Sequence, residues 1–116
     1  MQKKALKSLL PTLRERKRYL VFELITEGQI KDFKAVKDEI IYSAGSLIGD
    51  LGLSRANIRF IDEKTRENKG MIMVNHDFLD HLRASLALIR SINGVPAIVR
   101  SLGASGTIKK AGALLT

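Results

Sequence analysis

Four cations crowd the approach to an apolar run. Arg14, Arg16, Lys17 and Arg18 stand within Leu10-Pro11-Thr12-Leu13-Arg14-Glu15-Arg16-Lys17-Arg18-Tyr19. Guanidinium groups grip phosphate oxygens bidentately, and ammonium groups meet them as point charges. Near the other end, Leu102-Gly103-Ala104-Ser105-Gly106-Thr107-Ile108-Lys109-Lys110 sets two glycines, a serine and a threonine ahead of two lysines. Backbone N–H groups of such a turn can hold a phosphate oxygen, with Thr107 and the glycines positioning Lys109 and Lys110. The second glycine is followed by Thr-Ile rather than Lys-Ser, so this is not a Walker loop. An ordinary strand-to-helix turn accounts for the same residues equally well.

Charge along the 116 residues repeats the pattern. The chain carries 20 Lys+Arg against 12 Asp+Glu, a net of +8. Residues 1–18 contribute +6, residues 96–116 contribute +3, and residues 19–95 contribute −1. A nearly neutral body with two cationic ends attracts a polyanion through counterion release, and nucleic acid is the commonest polyanion. Pro11 opposes helix in the basic arm, so the arm is expected to be extended or disordered until it binds.

Little else in the sequence could do chemistry. His76 and His81 are the two histidines, and Asp77 stands one turn before His81, close enough to pair with it on a helix. A metal site needs three or four convergent ligands, and one helix face supplies too few. No Ser-His-Asp set or carboxylate pair stands out, so no catalytic residue is assigned. Cysteine is absent, which removes disulfides and thiolate metal sites. No apolar run reaches the length of a membrane span, about 18 residues. The basic N-terminus lacks the apolar segment of a secretory signal. A cytoplasmic protein is expected.

The elements that must position these cations are legible from periodicity. Residues 18–26 are rich in β-branched and aromatic types and predict a strand. Leu20, Phe22 and Leu24 share one of its faces; Tyr19, Val21, Glu23 and Ile25 share the other. Asp32 caps a predicted helix over 32–50, with Phe33, Val36, Ile40, Ala44 and Leu47 in phase and Gly49 and Gly52 at its end. Residues 56–62 and 69–75 predict a hairpin. A second helix opens at Asn75 or Asp77 and ends near Ser91, before Asn93-Gly94. Residues 95–102 predict a fourth strand, and a short third helix follows from Gly106 to Leu114. The order β-α-β-β-α-β gives an α+β class, a ferredoxin-like or RRM-like split β-α-β sandwich. A four-stranded antiparallel sheet would pack two helices on one face, with a basic arm over residues 1–17 and one domain over 18–116. The other face is expected to be free and to meet protein through Tyr19, Val21, Ile25, Met71 and Met73, since methionine adapts well to partner surfaces. Fold-back of the third helix over this face is the alternative. Aromatics make up 5% of the chain, and only Tyr19 could stack a base from the first strand, which argues against specific single-strand readout.

Two segments together carry a family resemblance. Pro11-Thr12-Leu13-Arg14-x-x-Lys17-Arg18-Tyr19 and Gly103-x-Ser105-Gly106-Thr107-Ile108-Lys109 resemble the archaeal ribonuclease P protein component 2. The resemblance runs from about Leu10 to Lys110 and includes the order of elements. It implies a subunit of the endoribonuclease that removes the 5′ leader of precursor tRNA. In that enzyme the RNA and its Mg²⁺ carry the chemistry, and the protein is not catalytic. It also implies pairing with ribonuclease P RNA and with a TIM-barrel-like protein subunit, around a self-dimer, and no membrane. Leu10 stands where many members have a second proline. Ala111-Gly112-Ala113-Leu114-Leu115-Thr116 is uncharged where many have a basic tail, so Leu114 and Leu115 are expected to dock on protein. The expected RNA contacts are Arg14, Arg16, Lys17, Arg18, Thr107, Lys109 and Lys110. The rival class is a protein-interaction scaffold of the same fold that dimerises through its free face and has no RNA role.

Overall fold

The computed structural model describes residues 16–28, 30, 32–65 and 68–115. The elements run β1 (Lys17–Thr26), α1 (Phe33–Ala56), β2 (Arg59–Phe60), β3 (Lys69–Asn75), α2 (Leu79–Ala87), β4 (Ser91–Ile92), β5 (Val95–Ser105) and α3 (Ile108–Gly112). Short 3₁₀ turns cover Asp62–Lys64, His76–Phe78 and Ala113–Leu115. The sheet is antiparallel with five strands in the order β2-β3-β1-β5-β4. The four-stranded expectation is corrected by β4. It pairs with Val95 and Pro96 across a two-residue Asn93-Gly94 turn with positive φ angles of 52° and 77°. That is the geometry of tight hairpins.

The helices follow from their caps. Asp32 accepts a hydrogen bond from the Lys34 backbone N–H at 2.9 Å and starts α1. The predicted end at residue 50 is marked by a kink at Gly49, with φ 74° and ψ 175°. Helix then resumes and closes at Asn57. The kink brings Leu53 back onto Gly45, where an added Cβ would lie 3.0 Å from Leu53 Cδ1. Asn75 does not cap the second helix. Its side chain accepts from Lys17 Nζ at 2.8 Å and donates to the Arg55 carbonyl at 2.6 Å. A 3₁₀ turn comes first, and α2 ends at Ala87, short of the predicted Ser91, because the chain turns into β4.

The main core lies between the sheet and α1 and α2. Leu20, Phe22 and Leu24 of β1 meet Val36, Ile40, Ile72, Val74, Leu82, Leu86 and Val99. Phe22 and Phe33 stack with centroids 6.2 Å apart. Ser43 donates to the Ser85 carbonyl at 2.6 Å, tying α1 to α2 inside this layer.

The second face is not free. Val21 and Met71 are fully buried there, in a smaller cluster with Ala111 and Leu115 from the C-terminal segment. The expectation of an open surface at Val21, Met71 and Leu115 is therefore corrected: α3 and the 3₁₀ turn after it fold back over the sheet, and Ala111 and Leu115 bury themselves against Val21 and Met71. A bulge between Val21 and Phe22 opposes Leu102 to the cluster and turns Ala104 toward the main core. Gly103 passes close beneath the cover: a Cβ there would stand 2.8 Å from Cδ1 of the exposed Leu114 side chain and push it aside. Tyr19 and Met73 are half-buried at the rim of the cover, while Ile25 and Leu114 are exposed.

Candidate nucleic-acid interface

The start of β1 and the end of β5 are antiparallel neighbours, with Tyr19 opposite Ser105. This register brings the two cationic segments to one end of the sheet. Arg18 Nη1 lies 3.5 Å from the place a Cβ on Gly106 would take. The segment that carries Arg16 and Arg18 and the segment that carries Lys109 and Lys110 therefore meet at one end of the sheet, although more than eighty residues of chain separate them.

Backbone and side-chain bonds hold this surface in place. The His76 N–H donates to the Arg16 carbonyl at 2.8 Å, continuing the β1–β3 ladder. Lys17 Nζ is held by Asn75, and Asn75 by the C-terminal end of α1. Arg18 Nη1 donates to the Lys17 carbonyl at 3.0 Å, which engages one of the five guanidinium N–H donors. Thr107 caps α3: its Oγ1 accepts from the Lys110 N–H at 3.2 Å. Thr107 thus positions Lys109 and Lys110, both exposed. Arg14 lies outside the described residues.

The electrostatics of this end differ from the rest of the chain. Segments 16–18 and 105–110 contain no carboxylate. Among the described residues no ion pair engages Arg16, Arg18, Lys109 or Lys110. Elsewhere several cations are paired: Arg100 with Glu23 at 2.5 Å, Arg83 with Asp80 at 3.5 Å, and Lys37 with Asp62. Unpaired cations held on a rigid sheet end can neutralise the phosphates of a polyanion without first breaking internal bridges.

Sequence reasoning missed two supports and one neighbour. Asn75 and His76 fix the backbone of the arm, and Arg59 of β2 shares a row with Met73, Tyr19 and Ser105. Only strand register reveals them. The expected Asp77–His81 pair is not made. His76 Nε2 meets Asp77 Oδ1 at 3.1 Å instead, and His81 lies against Phe78 with ring centroids 5.5 Å apart. Among the described residues no three His, Asp or Glu side chains converge to hold a metal ion.

Residues 18–115 match the Rpp14/Pop5 family. The chain belongs to this family. A ribonuclease P protein component 2 from Methanosarcina barkeri is 45% identical over 106 residues, covering 91% of this chain and 76% of that protein. The same component from Pyrococcus abyssi is 38% identical, covering 90% and 88%. A chain in the cryo-EM structure of yeast ribonuclease MRP superposes with a TM-score of 0.65 at 17% identity, covering 81% of this chain and 76% of that one. That likeness concerns the fold. The resemblance read from the two basic segments is borne out. So is the expectation of a ribonuclease P protein subunit, at the level of the Rpp14/Pop5 family and of its relatives' names.

Proposed function

We propose that this Rpp14/Pop5 chain anchors the RNA of a ribonuclease P, the endoribonuclease that matures precursor tRNA, and takes no catalytic part itself. The observation that carries the reading is the convergence of both basic segments on one sheet end, with Arg18 beside Gly106 and no carboxylate within residues 16–18 or 105–110. Arg16, Lys17, Arg18, Lys109 and Lys110 meet phosphates, and the arm with Arg14 extends the contact. Mg²⁺ belongs to the RNA, and cations placed against phosphates reduce the RNA's demand for it. The β1-α1-β2-β3-α2-β5 part is ferredoxin-like, with β4 as an added edge strand. A TIM-barrel-like protein subunit, a second copy of the chain and precursor tRNA complete the assembly, in the cytoplasm. The surface offered to protein is the exposed apolar set that includes Ile25, Ile98 and Leu114.

Reconstitution with the cognate RNA tests the anchoring role. Neutralising Arg14, Arg16, Lys17 and Arg18 together should raise the Mg²⁺ needed for half-maximal cleavage. It should also reduce the slope of log affinity against log salt by about one for each phosphate that the protein ceases to neutralise. An unchanged slope refutes the role and favours the protein-interaction scaffold.

A further inference from the structure

We propose that Tyr19 is a stacking platform for one unpaired RNA base, set between the cations that hold the flanking phosphates. The inference rests on the sheet end being an RNA surface, and it adds a contact to a base where that reading has contacts to phosphates only.

Strand register supplies the first observation. Arg59, Met73, Tyr19 and Ser105 stand directly opposite one another on β2, β3, β1 and β5. They form the last row of the second face before the sheet end that carries Arg16, Lys17 and Arg18. Directly opposed side chains have Cβ atoms about 5 Å apart, so Tyr19 and Met73 present one continuous apolar strip. The next row inward, Met71 and Val21, is sealed beneath α3. The rim row is the one α3 leaves partly open.

Tyr19 itself supplies the second. Phe22 stacks on Phe33, Phe78 meets His81, and Phe60 lies under Lys37 Nζ at 5.7 Å. Among the described residues Tyr19 has no ring partner, no cation above it and no hydrogen bond to its hydroxyl. It is half-buried against the Val21–Ala111 cluster, so its ring is oriented in advance and little rotamer freedom is lost on binding. Every base has a π-face, so one ring serves as a sequence-tolerant platform. This is compatible with an aromatic content too low for sequence-specific readout.

The third observation is charge. Arg59 is exposed at one end of the row, and no carboxylate pairs with it among the described residues. Lys109 and Lys110 follow Ser105 at the other end. A base on Tyr19 therefore has cations on both sides, where its 5′ and 3′ phosphates would run. Arg59 can also pack its guanidinium plane on the base. An apolar protein segment would gain nothing from those cations, which is why RNA is the occupant assigned.

Two hairpin RNAs test the proposal, identical except that one carries a single unpaired 2-aminopurine and the other is fully paired. The full-length chain should bind the bulged hairpin more tightly and quench its fluorescence. Tyr19→Leu should lose about tenfold in affinity for the bulged hairpin and abolish the quenching, with the affinity for the paired hairpin unchanged. Tyr19→Phe keeps the ring and should restore both. Quenching by the unmodified chain needs no variant, so a Tyr19→Leu protein that folds poorly does not spoil the test. Equal affinity for both hairpins with a steep salt slope would overturn the stacking role and leave the phosphate surface standing. No salt-dependent binding to either would overturn both.

Discussion

The two faces of the sheet are built to different standards. One is covered by the 24-residue α1 and the nine-residue α2, and it buries Leu20, Phe22, Ile72 and Val74 to zero exposure. The other is covered by the five-residue α3 and one 3₁₀ turn, which seal Val21 and Met71 and leave Tyr19, Met73 and Ile25 at the margin. A short helix cannot hold itself in water and depends on its docking contacts. The thick face fixes the strands, and the thin face, with its cations at one end, is the part that can meet a partner. Stability is therefore expected to concentrate on one side of β1 and binding on the other, although neighbouring residues of the same strand serve both.

Phe22→Ala should give the largest effect. Phe22 is fully buried, stacks on Phe33 and spans the layer between β1 and α1. Truncation of such a ring costs about 3–5 kcal/mol, from the forfeited transfer energy and the cavity left behind. Denaturant unfolding measures it, as a fall in midpoint with little change in slope. Since a domain has only about 5–15 kcal/mol to lose, the variant should stand close to global unfolding.

Leu115→Ala probes the thin face and should cost less, about 2 kcal/mol. Leu115 anchors the last turn against Val21, Met71 and Ala111. Its removal should open the cover locally. Hydrogen exchange would then show faster amide exchange in Ile108–Gly112 than in the unmodified chain, with Leu82 and Leu86 of α2 still protected. A cost equal to that of Phe22→Ala, or loss of protection in α2, would break the distinction between the two faces.

The same contrast explains what the amino-acid sequence made legible. The thick face follows from period: Leu20, Phe22 and Leu24 alternate, and Val36, Ile40 and Ala44 recur at helical spacing. Both signals are local. The thin face is not local. Val21 and Met71 alternate like surface residues, and nothing near them says that Ala111 and Leu115 will cover them. The bulge at Val21/Phe22, which lets β5 serve both clusters, has no sequence marker. β4 was hidden because two residues are too few for a period. Asn93-Gly94, read as a helix end, is in fact its hairpin turn. The candidate site divides the same way. Its charge was plain in Arg16, Lys17, Arg18, Lys109 and Lys110, but their meeting, and the row from Arg59 to Ser105, exists only through strand register.

The smallest expected effect tests where the two roles of the thin face touch. Thr107 is a cap before it is an RNA contact, because its Oγ1 accepts from the Lys110 N–H. Thr107→Ala should cost about 1 kcal/mol, in the usual range for removal of an N-cap. Thr107→Ser keeps the hydroxyl and should cost less. If the threonine acts on RNA only by holding Lys109 and Lys110, its alanine variant should weaken RNA binding slightly and leave the salt slope unchanged, since no cation is removed. Replacing Lys109 and Lys110 with methionine should do the reverse, lowering the slope while the melting temperature holds. A threonine variant that loses more affinity than the double lysine variant would mean the hydroxyl meets RNA directly. The thin face would then bind through its own turn as well as through the charges that the turn presents.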